Sequence, residues 1–129
     1  MGAEPSSKSR VEKLGVRPGL RVSVLGLAHP GFTGELAAAG ADVSERRRKD
    51  SDLIFVAVER TAHLARLGRL EPFLRRNGAV WAVFPKGRRD LREIDVIRTG
   101  VGAGLVDNKV VRFSETHTAL RFVVPLARR

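Results

Sequence analysis

The sequence predicts a three-layer α/β fold with a mostly parallel sheet of about six strands that closes in a C-terminal antiparallel hairpin. Apolar runs bounded by turn residues recur along the chain, as buried strands do. Segments with a helical spacing of apolar residues lie between these runs. Strands that alternate with helices form parallel sheets with right-handed crossovers. The 129 residues suffice for one domain with an ordinary hydrophobic core.

Two of the predicted strands carry the argument for a parallel sheet. The runs Leu53–Val58 and Ala79–Phe84 are apolar on both faces, which is typical of central parallel strands. The other runs are bounded by glycine, proline or charged residues, which mark turns. The six predicted strands are Arg21–Gly26, Ala41–Glu45, Leu53–Val58, Ala79–Phe84, Leu105–Phe113 and Thr118–Pro125.

The N-terminal part is expected to hold a tail and two short helices. Residues 1–9 are small and polar and predict a disordered tail, so the single domain should cover residues 10–129. Arg10–Leu14 predicts a lead-in helix. Phe32–Ala39 predicts a second helix, which Gly40 should end.

Two longer helices are expected in the second half of the chain. Thr61 should cap the first of them, Pro72 should kink or restart it, and Asn77-Gly78 should end it. Asp90, with Glu93 three residues later, predicts a capping box at the start of the second.

Composition excludes several classes of function. The chain has no cysteine, which excludes a disulfide scaffold, a thiolate zinc site and a cysteine nucleophile. No apolar run is long enough to cross a bilayer and no signal peptide follows Met1, so we expect a cytoplasmic protein. The 24 Lys+Arg exceed the 14 Asp+Glu by ten charges. The preference for arginine suits a GC-rich bacterial genome as well as phosphate binding.

Basic residues cluster after several predicted strands. Ligands of open parallel sheets bind beyond the carboxyl ends of the strands, so these clusters should share one edge and hold a positive potential there. We therefore expect a non-catalytic module that binds an anionic, phosphate-bearing ligand through this rim. The alternative is an ordinary solvated surface. The anion-binding candidates are Arg46, Arg47, Arg48, Arg60, Lys86, Arg88 and Arg89.

The loop after the first strand bears on cofactor binding. Dinucleotide folds carry G-x-G-x-x-G there, whereas this chain reads His29-Pro30-Gly31-Phe32-Thr33-Gly34. Glu45 stands about where a ribose-binding acid is expected. The alternative function is therefore a trimmed enzyme that resembles S-adenosylmethionine-dependent methyltransferases or binds NADP, although the cofactor stays unassigned. The candidate cofactor-binding residues are Gly26, Gly31, Gly34 and Glu45.

Other sites have less support in the sequence. The three histidines lack the spacing of metal ligands, so no metal site is predicted. The topology should bring Lys86, Asp90, Glu115 and His117 to one edge as a loop cluster, either a site or a set of ion pairs that braces two loops.

Two kinds of macromolecular partner stay open. Several arginines would give salt-sensitive, non-specific binding to nucleic acid, the second alternative function. Stacking on bases needs an exposed aromatic ring, and Phe32 is the only aromatic residue expected to be free. A homodimer would form by pairing along the short second strand, an expected sheet edge, although the arginines that follow it oppose self-pairing.

Several motifs resemble one small bacterial family. The most specific are the strand end Trp81–Lys86 and the terminal hairpin around Ser114-Glu115-Thr116. With Gly19–Leu25 and Gly104–Lys109 the similarity spans about Val16–Val123. On these residues the chain resembles the domain-of-unknown-function family numbered three thousand and fifty-two. The resemblance implies a compact Rossmann-like domain, related in shape to methyltransferases, without an assigned reaction. The same analogy predicts the strand order 2-1-3-4-6-5.

Overall fold

Six strands form one sheet in the order β2-β1-β3-β4-β6-β5. The structure is a computed structural model that describes residues 8–129. Parallel pairing joins β1 to β2 and β3, and β3 to β4, whereas β6 is antiparallel to both β4 and β5. The predicted α/β class, strand order and terminal hairpin are confirmed. The strands are β1 (Arg21–Leu25), β2 (Asp42–Ser44), β3 (Ser51–Ala57), β4 (Leu74–Pro85), β5 (Val106–Arg112) and β6 (His117–Val123).

Helices cover both faces of the sheet. Ser9 caps the first of them, because its Oγ accepts a hydrogen bond from the Glu12 backbone N–H at 3.3 Å. Ser9 therefore belongs to the start of a helix, and residues 1–7 of the expected tail lie outside the described residues. No helix within residues 8–129 has the length and apolar character needed to cross a membrane. The α-helices are α1 (Arg10–Lys13), α2 (Phe32–Ala38) and α3 (Glu93–Gly102), and 3₁₀ helices span Thr61–Arg69, Glu71–Phe73 and Leu126–Arg128.

The segment between β3 and β4 differs from the prediction. Arg60, not Thr61, occupies the N-cap position, and no side chain caps this helix. Asn77-Gly78 does not end a helix, since both residues lie within β4. A Cβ at Gly78 would lie 2.6 Å from the Asp52 carbonyl oxygen, so this glycine allows two strands to approach closely.

The predicted capping box of α3 is also wrong. The helix begins at Glu93, and the Arg92 backbone N–H donates to the Asp95 carboxylate at 2.8 Å. Asp90 lies before this turn and pairs with Arg88 at 2.7 Å instead. A nearby guanidinium thus takes the carboxylate that the sequence pattern assigns to the helix.

The core lies on the two faces of the sheet. On the α1 and α2 face, the rings of Phe32 and Phe55 lie 5.1 Å apart edge to face, and Phe55 stacks on Trp81. On the opposite face, α3 and the Thr61–Arg69 helix cover Val56 and Phe122. Helices packed on both faces of the sheet give the three layers. Because both faces are covered, a ligand site is expected at the ends of the strands.

Candidate functional site

The carboxyl ends of β1, β2 and β3 meet where the strand order turns. β1 continues to β2 on one side, whereas its neighbour β3 continues to β4 on the other side, so the connections leave these two strands in opposite directions. Ligands of open α/β sheets bind in the crevice at such a switch point. Gly26 directly follows β1 with φ +69°, in the left-handed region that favours glycine. Glu45 directly follows β2, so two predicted cofactor-binding residues lie at this edge.

A cavity of about 450 Å³ opens at this edge, and we call it the edge cavity. Its volume falls within the roughly 300–1,000 Å³ of small-molecule sites. Leu25, Val56 and Leu70 supply its apolar wall. Four arginines line it, and we call them the cavity arginines: Arg46, Arg47, Arg66 and Arg69. Gly26 and Glu45 complete the lining.

Contacts with the protein hold two of the cavity arginines. Arg66 Nη1 donates to the Ala57 carbonyl oxygen at 2.8 Å. A Cβ at Gly26 would lie 3.4 Å from this Nη1, so the guanidinium approaches the bare side of the glycine. The Arg47 guanidinium lies over the Phe73 ring, 4.9 Å from its centroid. Both cations are thus positioned in the absence of a counter-charge.

The predicted anion-binding residues do not converge on one site. Of this set, Arg46 and Arg47 line the edge cavity. Arg48 instead donates to the Val22 carbonyl oxygen at 3.0 Å and pairs with Asp42 at 3.1 Å, which ties the chain after β2 to the sheet.

The remaining predicted cations lie elsewhere. Lys86 and Arg88 line a second cavity, of about 320 Å³, beside the start of α3. Arg60 Nε donates to His63 at 3.3 Å, and Arg89 is exposed and lines neither cavity. The expected rim is therefore divided between two cavities and the surface.

The other two predicted glycines lie outside the edge cavity. Gly31 precedes α2 with φ +84°, and Gly34 lies within that helix. The expectation that Phe32 is free to stack on a base is wrong. Its side chain is 1% exposed, and it packs against Phe55 and Phe113.

A second polar cluster lies at the carboxyl end of β4, where Pro85 pairs with His117. His117 Nε2 lies 2.8 Å from Glu59 Oε2, and His117 Nδ1 lies 2.8 Å from Thr116 Oγ1. The ring of His29 meets that of His117 edge to face at 4.7 Å. We call His29, Glu59, Thr116 and His117 the histidine cluster.

The histidine cluster replaces the predicted loop cluster. The His117 side chain forms a hydrogen bond with Glu59 rather than with Asp90 or Glu115. Lys86 contacts the β5–β6 turn through its backbone, since its N–H donates to the Thr116 carbonyl oxygen. The pairing of Glu59 with His117 has no signal in the sequence, because 58 residues separate them and only the strand order brings them together.

The environment of the cluster lowers the pKa of one imidazole. Burial lowers the pKa of His29, and the neighbouring His117 and Arg10 lower it further, against the opposing charge of Glu59. His117 is 14% exposed in its side chain. When its Nε2–H donates to Glu59, the His117 Nδ1 accepts a hydrogen bond from the Thr116 hydroxyl. Hydrogen bonds thus join Glu59, His117 and Thr116 in one chain near the sheet edge.

Solved structures with a similar fold include S-adenosylmethionine-dependent methyltransferases. One from Aquifex aeolicus has a TM-score of 0.69 at 16% identity, over 89% of this chain and 87% of that one. A TehB-like enzyme from Corynebacterium glutamicum has a TM-score of 0.68 at 14% identity, over 90% and 86%. The magnesium protoporphyrin IX methyltransferase of Synechocystis, with S-adenosylmethionine bound, has a TM-score of 0.65 at 18% identity, over 90% and 74%.

These likenesses define the class of fold, a Rossmann-like methyltransferase fold. No protein-family model matches the chain, and none of the curated proteins matches it. The resemblance to the domain-of-unknown-function family therefore stays a prediction. The expected non-catalytic, phosphate-binding module is wrong, because the structural neighbours are methyltransferases and favour the alternative of a methyltransferase-like enzyme.

Proposed function

We propose that the protein is a methyltransferase-like enzyme that binds S-adenosylmethionine in the edge cavity and acts on a small molecule. The observation that carries the proposal is that Gly26 and Glu45, at the carboxyl ends of β1 and β2, line one cavity at the switch point of the sheet. The fold likeness to S-adenosylmethionine-dependent methyltransferases supports it.

The residues present fit an adenosyl group. The apolar side chains of Leu25, Val56 and Leu70 offer a surface for a flat base. The Glu45 carboxylate accepts hydrogen bonds and therefore suits a ribose diol. Gly26 has no side chain to keep the ligand from its backbone. When bound, S-adenosylmethionine supplies a methyl group activated by the sulfonium.

The chain's own contribution is binding and orientation. The loop departs from the G-x-G-x-x-G pattern at one position, because Ala28 stands where the second glycine belongs between Gly26 and Gly31. Contact with the ligand then depends on the side chains that surround Gly26 rather than on a glycine-rich turn. Glu45 is the only carboxylate in the cavity lining, so the proposal assigns recognition of the ribose to it.

The binding test uses isothermal titration calorimetry with S-adenosylhomocysteine and S-adenosylmethionine. We expect Glu45→Ala to weaken binding of both about tenfold, the effect of losing a hydrogen bond to a charged group. Glu115→Ala is the matched control, because it removes the same charge from an exposed position on the β5–β6 turn. Absence of binding to the wild-type protein, or an equal loss in both variants, would contradict the proposal. Binding of NADPH alone would indicate a dinucleotide enzyme.

We also propose that the chain is a member of the domain-of-unknown-function family that it resembles. The motifs Trp81–Lys86 and Ser114-Glu115-Thr116 support membership, and they meet at the carboxyl end of β4, where the Lys86 N–H donates to Thr116. An alignment of homologues that keeps both motifs at this contact is the expected result.

A further inference from the structure

The hydrogen bonds of the histidine cluster run in one direction. The Ser114 Oγ accepts hydrogen bonds from the backbone N–H groups of Thr116 and His117, at 3.2 and 3.1 Å. A hydroxyl oxygen has two acceptor lone pairs, so the Ser114 proton is left to donate to Thr116 Oγ1, 3.3 Å away. The Thr116 proton then donates to His117 Nδ1, and the opposite ring nitrogen donates to Glu59. Protons are thus directed from a hydroxyl through an imidazole to a carboxylate.

Backbone contacts hold both ends of these hydrogen bonds. The Glu59 N–H donates to His63 Nδ1 at 3.0 Å, and Arg88 Nη1 donates to the Glu59 carbonyl oxygen at 3.1 Å. At the other end, the Thr116 carbonyl oxygen accepts from the Lys86 N–H at 2.9 Å. The imidazole therefore lies between two anchored segments, and little reorganisation is needed before a proton moves.

The hydroxyl end is accessible to a ligand, whereas the imidazole is largely covered. Thr116 is exposed, but the His117 side chain is only 14% exposed. Thr116 Oγ1 accepts one hydrogen bond from Ser114, so it keeps a second lone pair for a donor from solution. A ligand with an O–H group can therefore pass its proton to Thr116 while Thr116 passes its own proton to His117.

Two loops connect the histidine cluster to the edge cavity. Gly26 and Val56 line that cavity, and His29 and Glu59 each follow one of them by three residues. The segments that leave β1 and β3 thus run from the cavity to the cluster. A methyl donor in the cavity and an acceptor at Thr116 would share one edge of the sheet.

We infer that Thr116, His117 and Glu59 form a proton relay for the methyl acceptor, which is a small molecule with a phenolic hydroxyl group. This inference rests on the proposed function. Imidazole acts as a base near neutral pH, and a phenol, with a pKa of about 10, is within its reach. The acceptor oxygen bonds to the methyl carbon, the carbon–sulfur bond leaves its electron pair on sulfur, and the acceptor's proton ends on His117. The charge of the sulfonium is thereby replaced by that of the imidazolium, which Glu59 stabilises.

The test uses 4-nitrophenol, whose visible absorption band appears when it loses its proton. Its ionisation is titrated by absorbance with the wild-type chain and no methyl donor, and compared with that of the free probe. We expect the bound probe to ionise at a pH about one unit lower, the effect of a partner that favours the charged form. An excess of S-adenosylhomocysteine should leave this shift in place, because the relay lies outside the edge cavity.

Variants assign the shift to the proton relay. Thr116→Val keeps the volume of the side chain but lacks the hydroxyl, and His117→Gln lacks the base, so both should lose the shift. Thr116→Ser should keep it, as should Thr61→Val, the matched control at another exposed threonine. Glu59 is a positioning residue because it acts through His117, and Glu59→Gln should reduce the shift. Circular dichroism checks that each variant is folded.

Failure of the inference differs from failure of the proposed function. An unshifted titration with the wild-type chain overturns the inference. A shift that persists in Thr116→Val and His117→Gln also overturns it, since another cation then holds the phenolate. Competition by S-adenosylhomocysteine does the same, because it places the phenol in the edge cavity. If S-adenosylhomocysteine does not bind while the shift is present, the proposed function fails and the proton relay stands.

Discussion

The packing of α3 on the sheet depends on one glycine. Gly100 lies in α3 and is buried, and Phe122 of β6 lies beneath it with no exposed surface. A Cβ at Gly100 would lie 2.5 Å from Cζ and 2.6 Å from Cδ1 of Phe122. Because the ring is enclosed in the core, it has no free space into which to move. Gly100→Ala must therefore shift α3 or displace the ring.

The expected cost follows from two opposing effects. Overpacking of a close-packed core costs typically about 1–3 kcal/mol. Alanine in place of glycine inside a helix stabilises the folded state by about 1 kcal/mol. The overlap involves several ring atoms, so we take the steric cost at its upper end. The net loss in the free energy of unfolding is then about 2 kcal/mol, a large part of the roughly 5–15 kcal/mol of a small domain.

Urea unfolding followed by circular dichroism measures this loss. Gly102→Ala is the matched control, since it lies in the same helix and a Cβ there would meet nothing within 4 Å. We expect the control to be unchanged or more stable by up to about 1 kcal/mol. Phe122→Leu should cost less in the Gly100→Ala background than alone, because the smaller side chain relieves the overlap. Equal stability of Gly100→Ala and Gly102→Ala would refute the packing argument.

Two further predictions concern the site edge and the core. Burial, His117 and Arg10 hold the pKa of His29 below its unfolded value, so the unfolded state binds more protons and stability falls as pH drops below about 6.5. We expect His29→Phe to flatten this part of the curve of unfolding free energy against pH. Parallel curves for the variant and the wild-type protein would contradict the assignment. The Trp81 Nε1–H donates to the Leu14 carbonyl oxygen at 3.1 Å in the core. Trp81→Phe leaves that oxygen unpaired and should lower the free energy of unfolding, measured in urea, by about 1–3 kcal/mol. An unchanged free energy of unfolding would show that water replaces the donor.

The central strands were predictable because burial on both faces makes nearly every residue of such a strand apolar. Ala79–Phe84 lies within β4, and Leu53–Val58 overlaps β3 up to Ala57. The C-terminus of α2 was predictable, because Gly40 follows it with φ +86° in the left-handed region. The N-termini of the later helices were not, because a cap depends on one hydrogen bond for which several partners compete. Asp90 shows this, since Arg88 takes the carboxylate that the capping pattern assigns to α3.

The location of the candidate site was predictable, but only some of the residues that line it were. Chain position placed Gly26 and Glu45 at one edge, and both line the edge cavity. Position alone does not show whether a cation is neutralised. Arg47 and Arg48 are neighbours in the chain, yet Arg47 lines the cavity and Arg48 pairs with Asp42. Arg66 was not predicted as a cavity residue, because the apolar spacing of its helix predicts only which side chains pack on the sheet.

Strand order, rather than total charge, determines the electrostatics of the edge cavity. Because β2 and β3 flank β1, the chain that leaves β2 and the 3₁₀ helix that follows β3 reach the cavity from opposite sides of Gly26. Each brings two cavity arginines. Moving Arg66 and Arg69 to the exposed face of α3 would keep the net charge of +10 and the basic pI unchanged. It would nevertheless halve the number of cavity arginines, so the positive charge of the edge cavity depends on where the fold places the two segments that line it.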